Sequence, residues 1–424
     1  MTDDAERRVA IACQGGGSHT AFTAGVLARL LDADALDGHR IVAFSGTSGG
    51  AVCATLAWSA VRAGEPHEAR RLLEGFWTDN AASTPAEQVV NAWMVWASTL
   101  QSAGLLPSLS PYDVPVTGLD HFRELLDRWV DFDRIDADRL ARHPLLLIGA
   151  VDVLSGRFRA FHSRREPITA DMILASAAVP TVFPAVRTDD GTYWDGLFSQ
   201  NPPVRELLET APDELWVVQI NPTARATEPR SVLDIADRRN ELSGNLSLYQ
   251  ELHVIEKIDQ LLADGLLTGD RYKQVTVRVI ELARQPSARL LGPASKLNRD
   301  RRFLRDLMAQ GEHQAEQFLT ALAFERAWRG RDTEAVMRLV ADDAELTSAA
   351  PFTERAPVRG RRVREVLADL PRDARPDLTR KQISADGTAW TVRTGDGTGP
   401  GLGRAEAEFR DGRLVRLRLG PAAG

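Results

Sequence analysis

The stretch FSGTSGGAV, residues 44 to 52, sets Ser48 between Gly46 and Gly50 at alternate positions, with Thr47 and Gly49 as its immediate neighbours. A serine in a G-x-S-x-G frame can act as a nucleophile toward a carbonyl, because small neighbours let it occupy a strained turn with its hydroxyl exposed. Tetrahedral chemistry at a carbonyl also needs N–H donors for the oxyanion, and Gly15, Gly16 and Gly17 in QGGGSHTAFTAGVL leave a backbone that a substrate can approach. Taken alone, Ser48 fits equally a residue that caps the helix following it. A nucleotide-phosphate loop fits poorly, since neither G-x-G-x-x-G nor G-x-x-x-x-G-K-S/T is present.

A nucleophilic serine needs a proton acceptor. The histidines beyond the second glycine cluster are His67, His121, His143, His162, His253 and His313, and none stands in a glycine-marked loop after a clear strand. His253 and His313 fall in helix-like segments and His162 in a strand-like one, where packing or surface roles suffice. Asp195 in GTYWDGLFSQNPP is the alternative: it ends a strand, precedes Gly196 and opens a run of turn residues. An Asp-Gly pair by itself also reads as an ordinary turn. As a base, Asp195 needs a water-poor setting, because a carboxylate titrates near 4 in water; Tyr193, Trp194 and Phe198 are candidates to supply it.

The elements that must hold these residues follow from apolar periodicity. Val9 to Cys13 reads as a buried strand running into the glycines and then a helix over about Thr20 to Leu31; Ile41 to Phe44, the serine turn and an Ala/Leu-rich helix repeat the plan. Two such units predict a parallel sheet with right-handed crossovers, which brings the Gly15–Gly17 loop and Ser48 to the carboxyl ends of adjacent strands. Residues 66 to 130 read as mostly helical. Strand signals resume in PLLLIGAVDVLSGRFRAFHS, with Ser155-Gly156 as its hairpin turn, and in TYWDG, ELWVVQIN and YKQVTVRVIEL, with a helix over Ile168 to Ala178. The first 285 residues or so are thus α/β. Composition changes near residue 318. Two helices broken at Gly330, with Asp332 as N-cap, lead into strand-like AWTVRTG, AEAEFRDG and RLVRLRLG, the last two joined by an Asp411-Gly412 hairpin, as expected of a separate α+β domain.

The blocks GGGSHTAFTAGVL, GTSGG, ASAAVPTVFPAV and YWDGLFSQNPPV, in this order, resemble the signature blocks of patatin-like phospholipases, and the segment SVLDIADRRNELSGNLSLYQEL resembles a bacterial branch of that family. The resemblance implies a three-layer α/β sandwich with a mainly parallel central sheet and a Ser-Asp dyad. Ser48 would be the nucleophile, Asp195 the general base, Gly196 part of the dyad motif, and Gly15, Gly16 and Gly17 the oxyanion hole. Many relatives carry glycine where Thr20 stands, so this chain departs from the pattern beside the oxyanion loop. The tail, with FERAWRGRDTEAVMRLVADDAEL and FRDGRLVRLRL, resembles SnoaL-like domains of the nuclear-transport-factor-like superfamily, which implies an α+β cone of helices against a curved sheet. Phe324, Trp328, Phe352 and Trp390 would line its pocket or simply pack its core. The expected domains are 1–318 and 319–424.

Composition bounds the partners. A formal charge of -7 without a long basic block argues against nucleic acid. No apolar run approaches the roughly 18 to 20 residues of a membrane helix, and MTDDAERRVAIAC lacks the pattern of a secretion signal, so the expected location is cytoplasmic, with peripheral membrane contact compatible. The two cysteines, Cys13 and Cys53, lack metal-ligand spacing and read as buried thiols. The expected activity is hydrolysis of lipid or other carboxylic esters without metal or organic cofactor; a non-catalytic lipid-binding scaffold, or an acyltransferase or thioesterase using the same dyad, is the alternative. Homodimerisation is compatible with the tail's resemblance. Trp93, Met94, Trp96, Leu100, Leu105 and Leu106, on a helix and its exit loop, form either a lid or interfacial patch or, as helical spacing of Trp and Leu favours, ordinary core packing.

Overall fold

The apolar runs that precede each glycine cluster become central strands of a sheet. In a computed structural model, β1 (Arg7–Cys13) lies between β2 (His39–Thr47) and β7 (Glu214–Gln219), and β2 pairs with β3 (Leu145–Asp152), all in parallel. The structure describes residues 6–36, 38–102, 104–106, 110–113, 118–132, 143–180, 182–225, 227–268, 272–282, 291–350, 352, 355–368, 375–377, 380–384, 387–393 and 401–421. Beyond β3 the sheet turns antiparallel through β6 (Gly191–Asp195) and β5 (Val186–Thr188), and β4 (Phe158–His162) folds back on β3 across the expected turn at Gly156, whose φ is 68°. Val9 to Cys13 and Leu145 to Ile148 are wholly buried, as continuous apolar strands of a two-sided sheet should be.

The helices of this unit are α1 (Ala21–Leu30), α2 (Gly49–Ala63), α3 (Glu68–Asn80), α4 (Pro85–Ser102), α5 (Gly118–Trp129), α6 (Ala170–Ala177) and α7 (Val232–Ala263). Ser231 caps α7 by accepting a hydrogen bond from the Asp234 N–H. The Cys13 and Cys53 thiols are buried, and burial pushes both well up, Cys53 to about 12, so both stay protonated and inert.

Two compact units divide the chain: residues 1–275 with 282–312, and residues 276–281 with 313–424. α8 (Arg301–Arg329) is one uninterrupted helix, so the change of composition near 318 interrupts no element. β8 (Thr276–Glu281), which the sequence groups with the first domain, pairs in parallel with β12 (Arg380–Ser384) of the second unit.

In that second unit α8 stops at Arg329, Arg331 takes a φ of 56°, and Asp332 accepts from the Ala335 N–H to cap α9 (Thr333–Arg338). The remaining elements are β9 (Val340–Ser348), β10 (Arg355–Arg359), α10 (Val363–Ala368), β11 (Arg375–Asp377), β13 (Gly387–Arg393), β14 (Gly401–Arg410) and β15 (Arg413–Gly420). The sheet runs β10-β9-β15-β14-β13-β12-β8, with β11 also on β13; its pairs are antiparallel except β15 with β9 and β12 with β8. Asp411 and Gly412, with φ of 51° and 72°, make the expected tight hairpin. Phe324, Trp328 and Phe352 are buried, Phe324 packing edge-on against Trp328 and Phe409; the side chain of Trp390 lies outside the described residues.

Candidate active site

Parallel pairing of β1 with β2 sets Cys13 opposite Gly46, so the glycine loop and the serine turn leave the sheet side by side. Thr47 lies opposite Gly149 of β3, and Ala150 of β3 opposite Asp195 of β6, which carries the carboxylate to the same end of the sheet. The absence of side chains lets these backbones touch. A β-carbon on Gly46 would collide with the Gly50 carbonyl, one on Gly15 with the Thr47 carbonyl, and one on Gly196 would press on Gly149 and on the Thr47 methyl at 3.0 Å. At Gly49 it would meet the Thr20 hydroxyl and lie 2.9 Å from the Gly17 carbonyl.

Ser48 has a φ of 56°, a conformation that non-glycine residues occupy at a cost of about 1–3 kcal/mol. Its side chain makes no capping hydrogen bond to α2, so the cap role that the sequence also allowed is not realised. It hydrogen-bonds the Asp195 carboxylate instead. Ser176 of α6 fixes the turn from below: its hydroxyl accepts from the Ser48 N–H at 2.9 Å and donates to the Gly149 carbonyl at 2.6 Å. The amino end of α2 points into the site and favours negative charge there.

Asp195 is 1% exposed. Burial raises its carboxyl from an ordinary 3.8 to about 7, against the opposing pull of hydrogen bonds from the Leu197 N–H (2.8 Å) and Ser48 and of the Lys296 ammonium. The water-poor setting expected around Asp195 is therefore present. Tyr193 packs on Phe161 and bonds Asp190, and the side chain of Phe198 lies outside the described residues. The histidines engage other partners: His19 the Ser295 hydroxyl, His162 Glu209, His253 Glu256 and His313 Gln317.

The glycine loop is tied down residue by residue. Gly15 donates its N–H to the Asn201 side chain at 2.7 Å, so of the three expected oxyanion donors this one is already engaged. Gln14 accepts from the Ile220 and Asn221 N–H groups, both at 2.9 Å, and donates to the Gly244 carbonyl and Asn245 of α7. The Thr20 hydroxyl, the departure noted above, donates to the Gly17 carbonyl at 2.6 Å and so braces the loop.

Residues 11–208 match the family model described as Patatin-like phospholipase. The segment is a patatin-like phospholipase domain. No curated protein matches the chain. Similar solved structures include VipD from Legionella pneumophila, 14% identical over 74% of this chain and 67% of that one, TM-score 0.34. An NTF2-like protein from Mesorhizobium loti is 18% identical over 26% of this chain and 92% of its own, TM-score 0.22. Another NTF2-like protein, from Burkholderia xenovorans, is 16% identical over 26% and 88%, TM-score 0.22.

The patatin-like domain also uses residues that the sequence did not single out. Ser176 lies within the ASAAVP block and Asn201 within SQNPP, yet only the fold shows what each supports; Lys296 comes from far along the chain. The expectation of inward packing for α4 does not hold. No residue of α4 is buried, Trp93 is 63% and Trp96 57% exposed, and the helix is attached through polar contacts such as Asn91 with Asn298 at 2.9 Å. Met94 and Leu105 are exposed as well, and Leu100 and Leu106 partly so. Among the described residues no helix is long and apolar enough to cross a membrane.

Proposed function

We propose that this patatin-like domain is a serine acyl hydrolase that cleaves carboxylic esters of lipids through Ser48 and Asp195. One observation carries the reading: a positive-φ serine hydrogen-bonded to a buried carboxylate raised to about 7, with the Gly15–Gly17 loop packed against the serine turn. A base that titrates near 7 both accepts and returns a proton at neutral pH.

Asp195 takes the proton of the Ser48 hydroxyl as its oxygen attacks the ester carbonyl, and the negative charge moves from the carboxylate to the carbonyl oxygen. The N–H groups of Gly16 and Gly17 receive that oxyanion. Collapse breaks the ester C–O bond, the leaving alcohol takes the proton from Asp195, and an acyl-serine remains. Water then repeats the sequence with Asp195 as base and returns the proton to Ser48. The exposed apolar side chains of α4 suit peripheral contact with a lipid surface. A fluorophosphonate probe tests the nucleophile: wild type is labelled and Ser48→Ala is not, whereas equal labelling of both removes the assignment.

A further inference from the structure

Lys296 lies in a short 3-10 turn (Pro293–Leu297), a hundred residues after Asp195 in sequence but directly behind the glycine loop. A β-carbon on Gly17 would collide with the Lys296 carbonyl, and one on Gly16 would lie 3.6 Å from the Lys296 Cε. Gly17 is therefore held between Gly49 on the serine side and Lys296 on the other. The Lys296 Nζ donates to the Asn221 side chain at 2.9 Å and faces Asp195, Asp237 and Glu241.

Two of those three acids already have cations. Arg225 pairs with Asp237 and, at 2.9 Å, with Glu241; Arg238 reaches Glu241 at 3.1 Å. His19 bonds Ser295 on the same turn as Lys296, and Arg299 faces Glu87 on the α4 side. Lys296, Arg225 and Arg238 against Asp195, Asp237 and Glu241 sum to zero charge when Asp195 is ionised. The sum is unchanged when Asp195 takes the serine proton and the charge reappears on an oxyanion at Gly16 and Gly17.

We infer that Lys296 is the positioning residue whose ammonium stays opposite the negative charge as it moves from Asp195 to the oxyanion, and whose backbone props the loop that receives it. The inference rests on the hydrolase reading. In a site largely closed to water one fixed cation serves both positions of the charge, and a preorganised charge of this kind is worth about 10²-fold or more in rate. Burial lowers the Lys296 ammonium to about 8, so its protection of the oxyanion fades as pH rises through that value.

The test compares wild type, Lys296→Met and Lys296→Arg on a short p-nitrophenyl ester from pH 6 to pH 10, together with fluorophosphonate labelling rates. Wild-type kcat/KM should rise through about 7 and fall through about 8. Methionine keeps the bulk behind Gly16 and Gly17 without the charge, so kcat should drop about 10²-fold with little change in KM and the alkaline fall should vanish. Arginine stays charged, so it should restore most of the rate and abolish the alkaline fall. A Lys296→Met enzyme with the wild-type rate and pH profile overturns the inference, as do equal losses in both variants with the alkaline fall retained. A wild type that neither reacts with the probe nor hydrolyses the ester overturns the hydrolase reading itself.

Discussion

Asp195→Asn should make the protein more stable while ending its activity. The carboxyl has an ordinary value of 3.8 and is raised to about 7 in the fold by burial. A raised acid is neutral in the folded chain and ionised in the unfolded one between those values, so folding loses stability as pH climbs from about 4 to about 7 and then levels off. The difference amounts to about 4 kcal/mol above pH 7 and about 2 kcal/mol at pH 5, order-of-magnitude figures for a nearly fully buried group. Asparagine has no charge to bury and keeps an oxygen that accepts the Leu197 N–H. The variant should therefore gain about 2 kcal/mol over wild type on going from pH 5 to pH 8. Urea unfolding followed by tryptophan fluorescence at both pH values measures this, read on the transition of the patatin-like unit. A stability difference that does not change with pH would refute the argument that burial sets the base strength. Turnover of an ester substrate should fall by at least about 10³-fold, since the serine proton then has no acceptor.

Ser176→Ala leaves the Ser48 N–H without its 2.9 Å partner and should cost about 1–3 kcal/mol of stability; kcat should fall with it because the serine turn is no longer held, and thermal unfolding with steady-state kinetics checks both. Changing Trp93 and Trp96 to glutamine removes the two large exposed rings of α4. If α4 contacts lipid, sedimentation with zwitterionic vesicles should drop severalfold while hydrolysis of a water-soluble ester stays within about twofold, since neither ring belongs to the Ser48 and Asp195 site; unchanged sedimentation would leave the helix without that role.

Much of the site is legible because its chemistry is confined to short segments. Gly46, Ser48 and Gly50 announce a tight strand-to-helix turn, and the parallel plan of β1 and β2 then dictates that Gly16 and Gly17 lie beside it. Asp195 stands out as an acid ending a strand. What the sequence hides are the residues that act by arriving from elsewhere. Asn201 engages Gly15 across a separation of 186 residues, and nothing about an isolated lysine at 296 marks it as the residue behind the glycine loop. The α4 stripe fails for a different reason: apolar residues at helical spacing look alike whether they face a core or are left exposed, and only the exposure of Trp93 and Trp96 separates the two. That β8 pairs with β12 is equally hidden, because a strand's pattern records which of its faces are apolar and not which strand it pairs with.

A carboxylate base and a histidine base pose different problems to a fold. Histidine titrates near neutrality when solvated and needs only orientation, whereas aspartate must be taken out of water to reach the same range. Here the required burial is nearly complete at Asp195, and the same exclusion of water strengthens every charge around it. An isolated ionised aspartate at that depth would be destabilising; a lysine facing it, itself lowered to about 8, limits the penalty without restoring the carboxyl to its ordinary value. A cation directly paired with Asp195 would hold the carboxylate too acidic to take a proton from serine. Lys296 is bonded to Asn221 instead, which leaves Asp195 under its influence and still basic enough to work. On the proposed reading, the placement of the lysine behind the loop, and not against the carboxylate, reconciles a stable fold with a working base.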